Sequence, residues 1–238
     1  MFSRPLVKFL IFLPVLVSIS LLYAKNLYAN NNDPLNKSEI DKVIALIAPV
    51  NSHNSLASRP SLHGKTFFDK KSVNSNLAPK QELLLVERHE QKNASQGQRL
   101  ADVFVYDYNT NELIESLVDL NTSRVLKSKR KQGIQLPLTE NELDHAKQII
   151  FADEDERRIL EDEYLRITSR QLSNISELNI KAFVFTANSM PNRVNEASKL
   201  CGIQRCAQLM LYTQENIVFE ISPIINLSEN IVTQHIGF

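Results

Sequence analysis

Glycine is scarce in this chain: there are five in 238 residues, each isolated from the others. A phosphate-cradling loop and a nucleophile elbow both need closely spaced glycines, so neither is present. There is no excess of charge of either sign, with 27 basic side chains against 27 acidic ones. Nucleic-acid binders carry a basic excess to displace counterions, so nucleic acid is excluded as a partner. Paired histidines are missing too. His53, His63, His89, His145 and His235 never fall at the one- or four-residue spacing that brings two imidazoles to one metal. No serine stands in a local catalytic signature. No catalytic, cofactor-binding or metal-ligating residues are therefore expected.

Two dense charge runs read as solvated surface. Asp153 to Glu156 is followed at once by Arg157 and Arg158, the pattern of an exposed helix face rather than of paired carboxylates in a cleft. Lys127 to Lys131, KSKRK, reads as a charged edge that keeps a strand from pairing with another sheet. The only two cysteines, Cys201 and Cys206, enclose four residues. In an exported chain so close a pair forms a structural disulfide, which here would pin the loop leading into a strand at Ala207. Two free thiols or a metal or redox site are the alternatives.

Export is read from the N-terminus. Arg4 and Lys8 precede an apolar run from Phe9 to Tyr23, and the small residues Ala24 or Ala29 end it before a polar Asn30-Asn31-Asn32. Residues 1–29 thus have the layout of a secretory signal peptide. Uncleaved, residues 6–24 would anchor the chain in a membrane, although the apolar core is shorter than the roughly 20 residues of a comfortable span. The expected location is periplasmic or extracellular.

The remainder divides into two α+β modules, residues 30–135 and 136–238. Asn36 and Glu39 stand at capping-box spacing before Ile40, Val43, Ile44 and Ile47, a single helical stripe ended by Pro49. Residues 51–80 are a polar inserted loop. Four strands follow around Leu83–Val86, Val103–Tyr106, Leu113–Val118 and Val125–Leu126, with turns at Asn109-Thr110-Asn111 and Asn121-Thr122-Ser123. The helix start then recurs: Pro34, Leu35, Glu39 and Asp41 match Pro137, Leu138, Glu142 and Asp144 at an offset of 103, with Thr139 in the place of Asn36. Val118-Asp119-Leu120 and Val125 recur as Ile225-Asn226-Leu227 and Val232 at an offset of 107. The chain therefore reads as a duplicated helix-then-four-strand unit. Strands of the second copy are expected at Ile180–Thr186, Gln208–Thr213, Ile217–Ile221 and Ile231–His235. Its helix face is Leu143, Ala146, Ile149 and Ile150. A second short helix, or a continuation, is expected through Leu160, Tyr164 and Leu165.

This order of elements, and above all the segment DVFVYDYNTNELIESLVDLNTSRVLKSKRKQGIQLPLTENEL, resembles the non-catalytic N-terminal region of copper amine oxidases. The resemblance spans about residues 33–238 and implies two tandem cystatin-like modules, each a helix packed on a mostly antiparallel sheet of about four strands. In that family copper and a tyrosine-derived topaquinone belong to a separate catalytic domain. Its Thr-x-x-Asn-Tyr-Asp/Glu segment and His-x-His pair have no counterpart here; Tyr106-Asp107-Tyr108 is the nearest segment and lacks the preceding Asn. The implied role is that of an exported, non-catalytic binding protein. A protein partner is expected: an amine oxidase catalytic chain, as for the small subunit of a split amine (tyramine) oxidase, or another partner for which the chain serves as an adaptor. The alternative is copper- and quinone-dependent oxidation of primary amines, in complex with such a chain. Cystatin-like protease inhibition is a third reading, but the Gln-x-Val-x-Gly loop it needs is absent.

Overall fold

The computed structural model describes residues 33–47, 81–90 and 98–237. The expected signal segment, the polar loop 51–80, Pro49, His53 and His63 lie outside them. The described residues from Pro34 onward form one compact unit that holds two four-stranded antiparallel sheets. The fold class is α+β, with helices on one face of each sheet, the architecture expected of tandem cystatin-like modules.

The first sheet runs in chain order: β1 (Gln81–Arg88), β2 (Leu100–Asp107), β3 (Glu112–Asp119) and β4 (Arg124–Gln132). Strict alternation along β2 sends Ala101, Val103 and Val105 to one face. There they meet Val43 of α1 (Lys37–Ile47), with Val118 and Leu120 completing a small core. α1 starts where expected: the Glu39 amide donates to Asn36 Oδ1 at 3.0 Å, and the Asn36 amide donates back to Glu39 Oε2 at 2.9 Å. β4 is an edge strand exposed along almost its whole length, so its lysines are a solvated edge as expected.

The second sheet repeats the order with β5 (Leu178–Val184), β6 (Cys206–Thr213), β7 (Ile221–Asn226) and β8 (Ile231–Gly237). Its inner face carries Ala207, Leu209, Leu211 and Ile225. Two helices cover it: α2 (Glu140–Ala152) through Ala146, Ile149 and Ile150, and α3 (Glu154–Thr168) through Leu160 and Tyr164. Asp153 divides them. It ends α2, and its carboxylate accepts from the Asp155 and Glu156 amides to begin α3. α3 has 15 residues, so it is a full helix rather than a short one.

The third strand of this sheet departs from expectation: it runs over Ile221–Asn226, not Ile217–Ile221. Val218 makes only an isolated bridge to Tyr212. The chain takes six steps from Val218 to Ile224 where β6 takes four from Gln208 to Tyr212, so the ladder is interrupted by a bulge. Pro223 is the cause. It stands opposite the Leu209 carbonyl and has no N–H to give it, and the Ser222 hydroxyl donates there instead at 2.7 Å.

Candidate functional site

Among the described residues, the largest side chain buried without exposure is Arg205, at 0%. It sits one residue before β6, at the place where the two sheets meet. A guanidinium offers five N–H donors in a fixed plane, and here each has an acceptor. Nε and Nη2 reach Glu142 Oε1 and Oε2 at 2.7 and 2.8 Å. Nη1 reaches the Leu136 carbonyl and Gln135 Oε1 at 2.6 and 3.1 Å, and Nη2 also reaches the Pro137 carbonyl at 2.9 Å. The linker between the sheets thus wraps the cation with its own carbonyls.

Glu142 is equally occupied. It is the third residue of a capping box, taking the Thr139 amide at 2.9 Å while Thr139 Oγ1 accepts the Glu142 amide. Its Oε1 also accepts the hydroxyl of Tyr108, from the end of β2, at 2.6 Å. Tyr106, 1% exposed, lies edge-on to Tyr108 and has the guanidinium over its ring, 5.6 Å from ring centre to Cζ. Its hydroxyl lies 3.3 Å from the Ile203 carbonyl, within the loop closed by Cys201 and Cys206. Across the same joint, Thr139 Oγ1 and Asn141 Nδ2 donate to Glu82 Oε1 of β1 at 2.7 and 3.1 Å.

Burial by itself would push the guanidinium down; the Glu142 carboxylate outweighs it and holds Arg205 above its ordinary value. Burial pushes Tyr108 far above the normal phenol range, and the negative Glu142 adds to that. The cluster holds a permanent cation, a carboxylate with four donors on it, and phenols that stay protonated. It has no free base to take a proton and no acid ready to give one. It is a fastener between the two sheets.

The first repeat contains the same device. Arg99, one residue before β2, sends Nε and Nη2 to Glu39 Oε1 and Oε2 at 2.9 and 3.0 Å and Nη2 to the Pro34 carbonyl at 2.9 Å. The carbonyl of Arg99 accepts from Leu120, and that of Arg205 from Leu227, both at 2.9 Å. Asp119 and Asn226 cap the next turn in the same way, and Ser123 and Asn230 take matching left-handed conformations within it. Neither arginine was singled out in the sequence. Their offset of 106, between the offsets of 103 and 107 already found, is the signal that would have found them.

Cys201 and Cys206 are bonded, Cα to Cα 5.4 Å, and both are buried. The bridge closes a turn in which Gly202 takes a left-handed φ of +109°, and Gln135 Nε2 donates to its carbonyl at 3.0 Å. The remaining described histidines are dispersed: His89 pairs with Asp102 at 2.7 Å, His145 with Asn230 at 2.6 Å, His235 with Glu156 at 2.5 Å. His89 and Asp102 border a pocket of about 300 Å³ on the outer face of the first sheet, where Glu115, Lys127 and Lys129 leave the charges nearly balanced.

Neither a protein-family model nor a curated protein sequence matches the chain. Among solved structures it is similar to a copper-containing benzylamine oxidase from Hansenula polymorpha, with a TM-score of 0.50 and 9% identity. The match covers 88% of this chain and 30% of that one. The fold is shared with part of a copper amine oxidase. At 9% identity the likeness to the amine oxidase concerns fold alone, and the chain spans less than a third of that enzyme's length. The residues described here do not suit an amine oxidase's copper. No group of three His, Cys, Asp or Glu side chains converges among them, and the hydroxyls of Tyr106 and Tyr108 bond to Asn111, the Ile203 carbonyl and Glu142.

Proposed function

We propose that this protein is an exported, non-catalytic accessory protein related in fold to copper amine oxidases, and that it works by binding a separate amine oxidase catalytic chain. The observation that carries the reading is the pairing of an amine-oxidase-like fold over 88% of the chain with a central polar cluster in which every strong group is already satisfied. The leader-like N-terminus and the Cys201–Cys206 disulfide support a compartment outside the cytoplasm. The described helices include none long and apolar enough to cross a membrane.

The test is to purify the protein alone, measure bound copper and amine-dependent peroxide release, and then add an amine oxidase catalytic chain from the same cell. The expected result is no stoichiometric copper and no peroxide from the protein alone, with a one-to-one complex after mixing. Stoichiometric copper with peroxide release from the pure chain would overturn the non-catalytic reading. Failure to form the complex would overturn the assignment of the partner.

A further inference from the structure

Among the four edge strands of the two sheets, three are protected. β4 carries Lys127, Lys129 and Lys131 on one face. β1 is distorted by a bulge between Leu83 and Leu85. On β8, Asn195 Nδ2 and Arg193 Nη2 occupy the carbonyls of Thr233 and Gly237 at 2.7 and 3.0 Å. β5 has none of these devices. Its register with β6 is unbroken from Leu178 to Val184, it has a single lysine, and Phe183 on its outer face is 51% exposed. An unprotected edge with apolar side chains is a template for another strand.

We propose that β5 pairs edge to edge with β5 of a second copy of this chain, antiparallel, in a register centred on Ala182. The amide of Phe185 donates to the carbonyl of Cys206, directly opposite, at 3.0 Å. Residues of the same parity, Lys181 and Phe183, therefore direct their backbone groups to β6. Ile180, Ala182 and Val184 direct theirs to the open edge, where no hydrogen-bond partner for them is present among the described residues. A two-fold axis through Lys181 would pair the whole strand but would set Lys181 directly opposite Lys181, where like charges repel. An axis through Ala182 avoids that, pairs residues 180–184 and brings the exposed Phe183 into the contact: Ala182 faces Ala182, and Ile180 faces Val184, each pair exchanging two backbone hydrogen bonds.

The same register sets Lys181 opposite Phe183 of the other copy, twice, in the non-hydrogen-bonded position where side chains come closest. Lys181 already lies 5.8 Å from the ring centre of Tyr212. In the dimer its ammonium is held between Tyr212 of its own chain and Phe183 of the second. The edge is thus complementary to itself in hydrogen bonding, and each lysine gains a second aromatic neighbour. This interface is independent of any catalytic partner.

Sedimentation equilibrium of the full chain from micromolar to near-millimolar concentration tests it. The expected result is a concentration-dependent rise to about twice the monomer mass. Phe183→Lys sets like charges opposite each other at an exposed position and weakens association by about tenfold or more, with an unchanged circular dichroism spectrum. The double variant Lys181→Phe with Phe183→Lys restores the opposed pair and with it the dimer. A monomer at every concentration, a dimer indifferent to Phe183→Lys, or a swap that fails to rescue would each overturn the proposal.

Discussion

Replacing Arg205 with methionine tests the fastener directly. Met keeps much of the side chain's length and apolar contact but leaves Glu142, 2% exposed, without its cation. Both carboxylate oxygens lose a charge-assisted bond, and the carbonyls of Leu136 and Pro137 lose their donors. Breaking a buried ion pair by removing one partner costs about 3–5 kcal/mol. Against a total stability on the order of 5–15 kcal/mol, that is a large fraction. For a unit of this size it lowers the melting temperature by about 6–20 °C. Urea titration and thermal circular dichroism measure it. Adding Glu142→Gln removes the stranded charge while keeping a residue that completes a capping box, so the double variant recovers most of the loss. A loss under about 1 kcal/mol for Arg205→Met would mean that the pair behaves like one on the surface, and would refute the reasoning.

The homologous pair in the first repeat is more accessible, the Glu39 side chain being 15% exposed, so Arg99→Met costs less than Arg205→Met in the same assays. The bonds from Arg99 hold the Glu39 carboxyl below its usual value of 4.5, outweighing the opposing effect of its burial. A depressed carboxyl stabilises the fold above the unfolded value and loses that contribution as pH falls through the folded one. Stability monitored from pH 6 downward should therefore begin to fall near pH 4.5, and Glu39→Gln should remove that part of the fall. Replacing Cys201 and Cys206 together with serine lowers stability by about 2 kcal/mol, and neither cysteine of the native protein reacts with a thiol label before reduction. Ser169 ends α3 in a left-handed conformation with φ 57°, so Ser169→Gly raises the melting temperature, by an amount corresponding to about 1 kcal/mol.

The local parts of this fold were readable in the sequence because their causes are local. Asn36 with Glu39 and Thr139 with Glu142 are three residues apart, and both capping boxes form. The alternation in β2 and the periodicity of α2 are similarly confined to single elements. The joint was not legible: Arg99 meets Glu39 across 60 residues and Arg205 meets Glu142 across 63, and no window of sequence contains both partners. Tyr106 and Tyr108 were noticed for a motif they do not complete, whereas their structural part depends on where the second repeat lands. The third strand of the second sheet was misplaced because Ile217 to Ile221 has the composition of a strand. The disruption comes from Pro223, further on, acting against β6 on the neighbouring strand.

One carboxylate both starts α2 and takes the hydroxyl of the first repeat's Tyr108. The helix cannot fray at its first turn without loosening the joint, and the joint cannot swing without exposing that turn. The two repeats are consequently stiffened against each other at this joint. Slow amide exchange at Thr139 and Glu142 would be the solution signature of that stiffness.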